Sequence, residues 1–411
     1  MIEFELGPHR DFAYEVVRRL RDAGHDALWA GGCVRDQLLG LLPKDYDVAT
    51  SARPEQIRAL FGRRRTIPVG AAFGVITVLG PRSAGSVEVA TFRGESQYLD
   101  GRHPSEIHFT DAREDAQRRD FTINGLFFDP IKSEVIDYVN GQRDLADHVV
   151  RAIGDPAARF ADDKLRLLRA VRFAATFDFT IEPATQAAIV RHAAEIHQVS
   201  AERIGMEIRR MLLDPRRAAA LKLLEACQLL LEVLPEFARL PRELQKANRA
   251  VLRHLKEVTL PLALAATLHR AGEPEIAREV SRRLRFTNKE AERAEWLLRH
   301  LEPIAAADRL PWPQLQRILI HDGARELLQL LAAIAGESAA TKQCREKLAL
   351  PAAELNPPPL LDGGDLLAAG VPAGPALGEM LERARDAQLV GELSTRDEAI
   401  AFVAKHLAEG K

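Results

Sequence analysis

Two aspartates set two residues apart, Asp45 and Asp47, are the strongest chemical feature of this 411-residue sequence. The run Asp45-Tyr46-Asp47-Val48 alternates polar and apolar, as a strand does, so both carboxylates project to one face. At ~5 Å and an effective dielectric of ~20 their repulsion is on the order of 3 kcal/mol. A divalent cation offsets that best, and Mg²⁺ takes one or two carboxylates together with phosphate oxygens. Upstream, Gly31-Gly32 makes a turn where backbone can approach a ligand, and a helix over residues 34–42 follows, its N-terminus suited to a phosphate. Arg35 adds a cation. Together these point to a metal-dependent site for a nucleoside triphosphate. Taken singly, Asp-x-Asp reads as a solvated edge strand and Gly-Gly as an ordinary turn.

Three further groups could join that chemistry. Glu88 alternates with Val87 and Val89, and so faces away from them. It is a candidate third acid, or else a solvent-facing strand glutamate. Arg118-Arg119-Asp120, followed by Asn124, can hold a triphosphate and a ribose; read alone, it is a surface salt-bridge cluster. Asp163 and Arg166, three apart in the helical run 162–176, share a face. The plain alternative is a surface pair worth ~0.2–0.5 kcal/mol. His321-Asp322 has no other ligands at a spacing that would complete a metal site.

The elements that must position these groups follow from periodicity. A helix covers residues 11–24 and ends at Gly24. A short apolar strand at residues 28–30 precedes the glycine turn. The helix over 34–42 places Val34, Leu38, Leu41 and Leu42 on one side until Pro43 stops it. A helix at 54–61 and strands at 73–79 and 86–92 come next. Residues 93–117 form a long polar loop. After about Gly141 nearly everything is helix-forming. In the run 162–176, Leu167, Ala170, Val171 and Ala174 form the packing stripe, with the charged residues largely off it. Further helices are expected near 218–233, 241–257, 261–271, 274–285, 288–303, 312–320 and 322–335. Several carry arginines and lysines in succession, as a surface tracking RNA would. Residues 351–375, rich in Pro and Gly, read as a linker before a last helical unit.

Composition bounds the rest. The length implies two to four domains. A net charge of −2 argues against a uniformly basic coat and leaves room for a local basic surface. Three scattered cysteines fit no metal spacing and suit a reducing compartment. The N-terminus has no signal-peptide pattern, and no apolar run reaches membrane-spanning length. A soluble, cytoplasmic protein is expected.

Taken in order, these pieces resemble the class II tRNA nucleotidyltransferase (CCA-adding enzyme) and bacterial poly(A) polymerase family, within the polymerase-β-like superfamily. The resemblance rests on Gly31-Gly32-Cys33-Val34-Arg35-Asp36 with Asp45-Tyr46-Asp47, on Glu88–Arg93, on Arg118–Asn124, and on Asp163–Phe173. It extends to Asn140–Leu145 with Arg151–Gly154, to Ser200-Ala201-Glu202-Arg203-Ile204, and to Gly364-Asp365-Leu366 with Gly374–Gly378. Any one motif is weak; their order and spacing are specific.

The resemblance implies an α+β fold: a polymerase-β-like head with a small mixed sheet over residues 1–143, then an all-α neck (144–215), body (216–350) and tail (351–411). It implies that Asp45 and Asp47 hold two Mg²⁺ ions. Gly32, Arg35, Arg119 and Asn124 would contact phosphates or sugar. Asp163 and Arg166 would read the base edge, since a carboxylate accepts from the exocyclic amine of C or A and a guanidinium donates to ring acceptors. Arg169 and Arg172 would orient that pair or reach the triphosphate. The implied partners are CTP, ATP and the 3′ end and acceptor/T-arm region of tRNA, with no membrane and no protein partner. Two departures stand out: Asp162 where the family commonly has glutamate, and Gly125 where it commonly has alanine. The loops Val69–Val75 and Tyr98–Pro104 look like those of the tRNA enzymes. An enzyme building the CCA end is expected, with an A-adding specialist or a poly(A) polymerase as the alternatives, and a non-catalytic RNA-binding scaffold as a distant one.

Overall fold

The computed structural model describes residues 7–68, 74–94 and 108–409. The loop resemblance at residues 69–73 and 98–104 lies outside these. The chain divides into two compact units, Met1–Arg239 and Leu240–Lys411.

The first unit is α+β. Its main sheet is built from β1 (Ala27–Ala30), β2 (Asp47–Thr50), β3 (Thr66–Ile67), β4 (Val75–Leu79), β5 (Ser86–Thr91), β6 (Leu126–Asp129) and β7 (Glu134–Asp137). Their order across the sheet is β3-β4-β5-β2-β1-β6-β7. Only β2 and β5 run parallel, with Val48 opposite Val89; the other neighbours are antiparallel. The mixed sheet follows from the connection between β2 and β5. It carries helix α3 (Pro54–Phe61), which has an apolar face of Ile57 and Phe61, and the β3–β4 hairpin. Helix α1 (Pro8–Asp22) buries Phe12, Ala13, Val16, Val17 and Leu20, an i, i+1, i+4, i+5, i+8 stripe.

Helix α2 (Gly32–Leu38) is shorter than its apolar spacing predicts. Gly40, at φ 71, ends it in a Schellman motif: the Leu41 amide donates to the Asp36 carbonyl and the Gly40 amide to Gln37. The chain turns away three residues before Pro43. Leu41 and Leu42, expected on the packed face, are instead exposed.

Short helices α4 (Ala112–Gln117) and α5 (Gly141–Ala146) flank β6 and β7, and the two-residue strands β8 (Val149–Val150) and β9 (Thr180–Ile181) pair in parallel. Then come α6 (Pro156–Asp162), α7 (Leu165–Phe177), α8 (Pro183–His192) and α9 (Ala201–Leu213). The run 162–176 is one helix from Leu165 onward, with Asp162 ending α6 just before it. Asp163, with φ −149 and ψ 106, is extended, and its carboxylate accepts from the Leu165 amide 3.0 Å away, starting α7 as a cap. The predicted stripe of Leu167, Ala170, Val171 and Ala174 is fully buried.

In the second unit every regular element among the described residues is a helix, the longest being Asn288–Ala305. The segment read as a linker is part of its core. Leu361, Leu366 and Val371 are buried with Ala384, Ala387, Leu393, Ala399 and Val403. Its glycines and prolines punctuate a short helix, Gly363–Ala368, which Asp362 and Asp365 close in a reciprocal capping box. Among the described residues no helix is long and apolar enough to cross a membrane.

Candidate active site

Tyr46 explains how the two aspartates are presented. Its ring is buried edge-on to Trp29, 4.9 Å between centroids, and Trp29 stacks on Phe128 at 5.7 Å. With Tyr46 and Val48 turned into the core, Asp45 and Asp47 face out. The alternation expected of a strand holds through Asp45, although the ladder itself starts at Asp47.

The β2–β5 register sets Glu88 beside Asp47: Val48 pairs with Val89, so the residues before them are neighbours on the same exposed face. Asp47 opens onto a cleft, yet protein crowds its flanks. Loss of hydration raises its pKa, the negative charge of Glu88 raises it further, and Asp45 adds a smaller push. Arg119 opposes them, and the outcome is about 6. This is an excess of negative charge on hard oxygen donors, which is what a divalent cation relieves. Among the described residues no group of three or more His, Cys, Asp or Glu side chains is placed to hold a metal ion.

Above Asp47 lies a cleft of about 590 Å³. Its lining brings together Gly32, Arg35, Asp47, Arg119, Asn124, Asp163, Arg166, Arg169 and Arg172, nine of the residues singled out by sequence. Asp45 and Glu88 are not on its wall and act on it through Asp47. The lining also includes Gly31, Arg93, Arg118, Asp120, Phe173 and Arg203. Eight arginines against three aspartates make it an anion site, in a chain whose net charge is −2.

Each arginine is held. Arg35 donates to Asp36 and, at 2.5 Å, to the side-chain oxygen of Asn124. Asn124 in turn donates to Asp120 at 3.0 Å, and Asp120 accepts two bonds from Arg169. Burial opposes ionisation of Asp120, but the Arg169 charge and the hydrogen bonds from Asn124 and Arg169 outweigh it and bring its pKa to about 2. Arg118 and Arg119 share Asp115, which is 1% exposed. Burial lowers Arg118 to about 10 despite that partner. Arg172 pairs with the buried Glu207 at 2.5 Å. This is no surface salt-bridge cluster.

Gly31 makes the close approach possible. It sits at φ 69, and a Cβ there would come 2.9 Å from Nη1 of Arg119. The cysteine that follows, Cys33, is buried, and its thiol is pushed up to about 12, so it is no nucleophile here.

The Arg166 amide donates to the Asp163 carbonyl at 3.1 Å, but the two side chains take other partners. Arg203 grips Asp163 with two bonds, 3.1 and 2.8 Å. Arg166 gives its fork to two backbone carbonyls, Arg159 at 2.9 Å and Arg118 at 3.4 Å. Asp162, the shorter acid at the departure from the family pattern, stands 3.5 Å from Arg166 and 3.7 Å from Arg159. Sequence reasoning gave no role to Asp115, Arg203 or Glu207, and read Asp120 only as a neighbour of the two arginines. Asp115 carried a usable signal, three and four residues before Arg118 and Arg119 on a helix; Arg203 lies inside a recognised motif.

His321 and Asp322 do not form a metal pair. His321 stacks on Trp296, 3.8 Å between centroids, and its Nδ1 accepts from the Gly323 amide, while Asp322 is paired with Arg293.

Two family profiles match this chain. The poly(A) polymerase head domain covers residues 27–151, and a probable RNA and SrmB-binding site of polymerase A covers residues 178–240. A CCA-adding enzyme of Lactobacillus helveticus (strain DPC 4571) is 33% identical over 395 residues, which is 94% of this chain and 95% of its relative. The crystal structure of the Bacillus stearothermophilus CCA-adding enzyme in complex with CTP matches with a TM-score of 0.82 at 28% identity, over 98% of this chain and 99% of that one. The Thermotoga maritima CCA-adding enzyme, complexed with tRNA, shares the fold, with a TM-score of 0.67 at 19% identity over 97% and 95% of the two chains. With its head, its arginine-lined cleft and a near full-length relative all in agreement, the chain belongs to the class II CCA-adding enzyme and poly(A) polymerase family.

Proposed function

We infer that this protein adds nucleotides from CTP and ATP to the 3′ end of tRNA, building or repairing its CCA terminus. The observation that carries the reading is the cleft: eight arginines gathered around one carboxylate-edged hollow of about 590 Å³, within the size range of small-ligand sites. The relatives named above, including one described in complex with CTP, support the choice of reaction.

In this reading Asp45 and Asp47 hold Mg²⁺, with Glu88 as a third acid that strengthens the local field. Bound there, Mg²⁺ supplies charge stabilisation to the attacking and leaving oxygens of an in-line displacement. Gly32, Arg35 and Arg119 face the phosphates, and Asn124 holds Arg35 in place from the sugar side. The triphosphate meets guanidiniums that Asp36, Asp115 and Asp120 have already oriented, so little ordering is left to occur on binding. Asp163 accepts from the exocyclic amine of C or A, and Arg166 donates to the ring acceptors. Arg203 and the two carbonyls keep these groups from collapsing onto each other. Arg169 and Arg172 set the far wall. The head (1–143) and neck (144–215) carry the chemistry and base choice; the body (216–350) and tail (351–411) bind RNA. A tRNA-processing role of this kind belongs in the cytoplasm.

The test is incorporation of labelled CTP or ATP, with Mg²⁺, into tRNAs lacking CCA, CA or the terminal A. Three residues added in the order C, C, A support the reading. Incorporation only into tRNA lacking its last residue makes the protein an A-adding specialist. An unbounded ladder on unstructured RNA makes it a poly(A) polymerase, and no incorporation into any substrate refutes the reading.

A further inference from the structure

Three of the cleft's arginines surround a single aromatic ring. The guanidinium carbons of Arg35, Arg169 and Arg172 lie 5.2, 5.3 and 4.1 Å from the centroid of Phe173, all within cation–π range. The ring is 5% exposed and forms part of the cleft wall. It is itself fixed, edge-on to Phe121 at 5.9 Å and stacked with Phe177 at 6.2 Å. Phe177 adds a second face to Arg35, at 4.6 Å.

Three guanidiniums drawn to one place repel one another. A carboxylate could hold them together, but it would also cancel the charge a polyphosphate needs. An aromatic face attracts cations through its quadrupole and adds no formal charge. Each of the three arginines has one acidic partner, Asp36, Asp120 or Glu207, on its own side. Phe173 is what the three have in common. They arrive from different places in the chain, α2 for Arg35 and α7 for the other two, and the ring is where they meet.

We propose that Phe173 is a positioning residue for the triphosphate: its π face, more than its bulk, sets the three guanidiniums in a common array while leaving their charge available to the ligand. This rests on the reading of the cleft as the nucleotide site.

The test replaces Phe173 in the full chain with 4-fluoro-, 3,5-difluoro- and 3,4,5-trifluorophenylalanine, which keep the ring's shape and drain its face of negative potential. Affinity for inorganic tripolyphosphate and for CTP is measured by calorimetry well below each variant's Tm. The expected result is a graded loss with fluorine number, reaching about tenfold for the trifluoro ring. In turnover the loss falls on KM for the nucleotide, with kcat within about threefold. Phe173→Leu, which keeps an apolar filler, should lose as much affinity as the trifluoro variant. A ring that merely fills space would lower the Tm of Phe173→Leu and leave tripolyphosphate affinity flat across the fluorinated series, and that result overturns the proposal. Tripolyphosphate binding needs no turnover, so failure of the ring's role is distinguishable from failure of the assigned reaction, which the tRNA incorporation assay reads on the unsubstituted chain.

Discussion

Arg169 places Nη2 2.5 Å and Nε 2.7 Å from the same oxygen of Asp120, joining α7 to the segment just before β6. Because Asp120 also accepts from Asn124, and Asn124 from Arg35, the pair closes a chain of bonds across the floor of the cleft. Asp120→Asn leaves the Arg169 guanidinium without its charge partner in a protein-enclosed place. The expected cost is about 3 kcal/mol of unfolding free energy, measurable by urea denaturation.

The same residue has a pH signature. Its folded pKa of about 2 lies below the ordinary aspartate value, so its contribution is complete above about pH 4 and is lost as pH falls from there through about 2. Between those limits the stability of Asp120→Asn should fall less steeply than that of the unsubstituted chain, by about one proton's worth of slope. Equal slopes would mean that Asp120 titrates normally.

Asp47→Ala should lower turnover by on the order of 10³-fold or more, with tRNA binding retained in a filter or gel-shift assay. Asp45→Ala is expected to do the same, although Asp45 is off the cleft wall. Substantial turnover in either would remove that residue from the metal site.

Glu88→Gln separates a third acid from a strand-edge glutamate. With the negative charge gone from beside Asp47, the Mg²⁺ concentration for half-maximal activity should rise by about tenfold or more. A strand-edge glutamate would leave the Mg²⁺ titration where it was.

Base choice offers a further check. Arg166→Ala should reduce the preference for CTP and ATP over UTP by about tenfold to a hundredfold, with little change in tRNA affinity. Arg203→Ala should act in the same direction through Asp163, which it holds with two bonds. If both variants kept full selectivity, base reading would have to be sought elsewhere in the cleft.

What could be read from sequence was what local spacing encodes. The alternation around Tyr46 survives in the folded chain because a buried aromatic there forces both neighbours outward. The stripe from Leu167 to Ala174 is buried as its period implies. One local reading went astray because a capping residue outweighed a hydrophobic period: Gly40 ends α2 while the apolar pattern is still running. The run 162–176 is helical as its period implies, starting at Leu165 behind the Asp163 cap. In the second unit, composition suggested a linker at residues 351–375, but three apolar side chains among the prolines were enough to anchor it.

The support of the site was less legible, because its partners are far apart in the chain. Arg203 reaches Asp163 across 40 positions, Glu207 reaches Arg172 across 35, and Asp120 reaches Arg169 across 49. No periodicity links such pairs, and a lone arginine or glutamate on a helix is most often solvated. Only their convergence on one cleft distinguishes them.

The anchoring of Arg166 bears on which substitutions this chain can take. Its fork is received by the carbonyls of Arg118 and Arg159, groups that every amino acid carries. No substitution at either position deletes the acceptor, and no change of acidity within the physiological range discharges it. Mutational drift at those two sites can therefore alter side chains while the register of Arg166 stays written in the main chain.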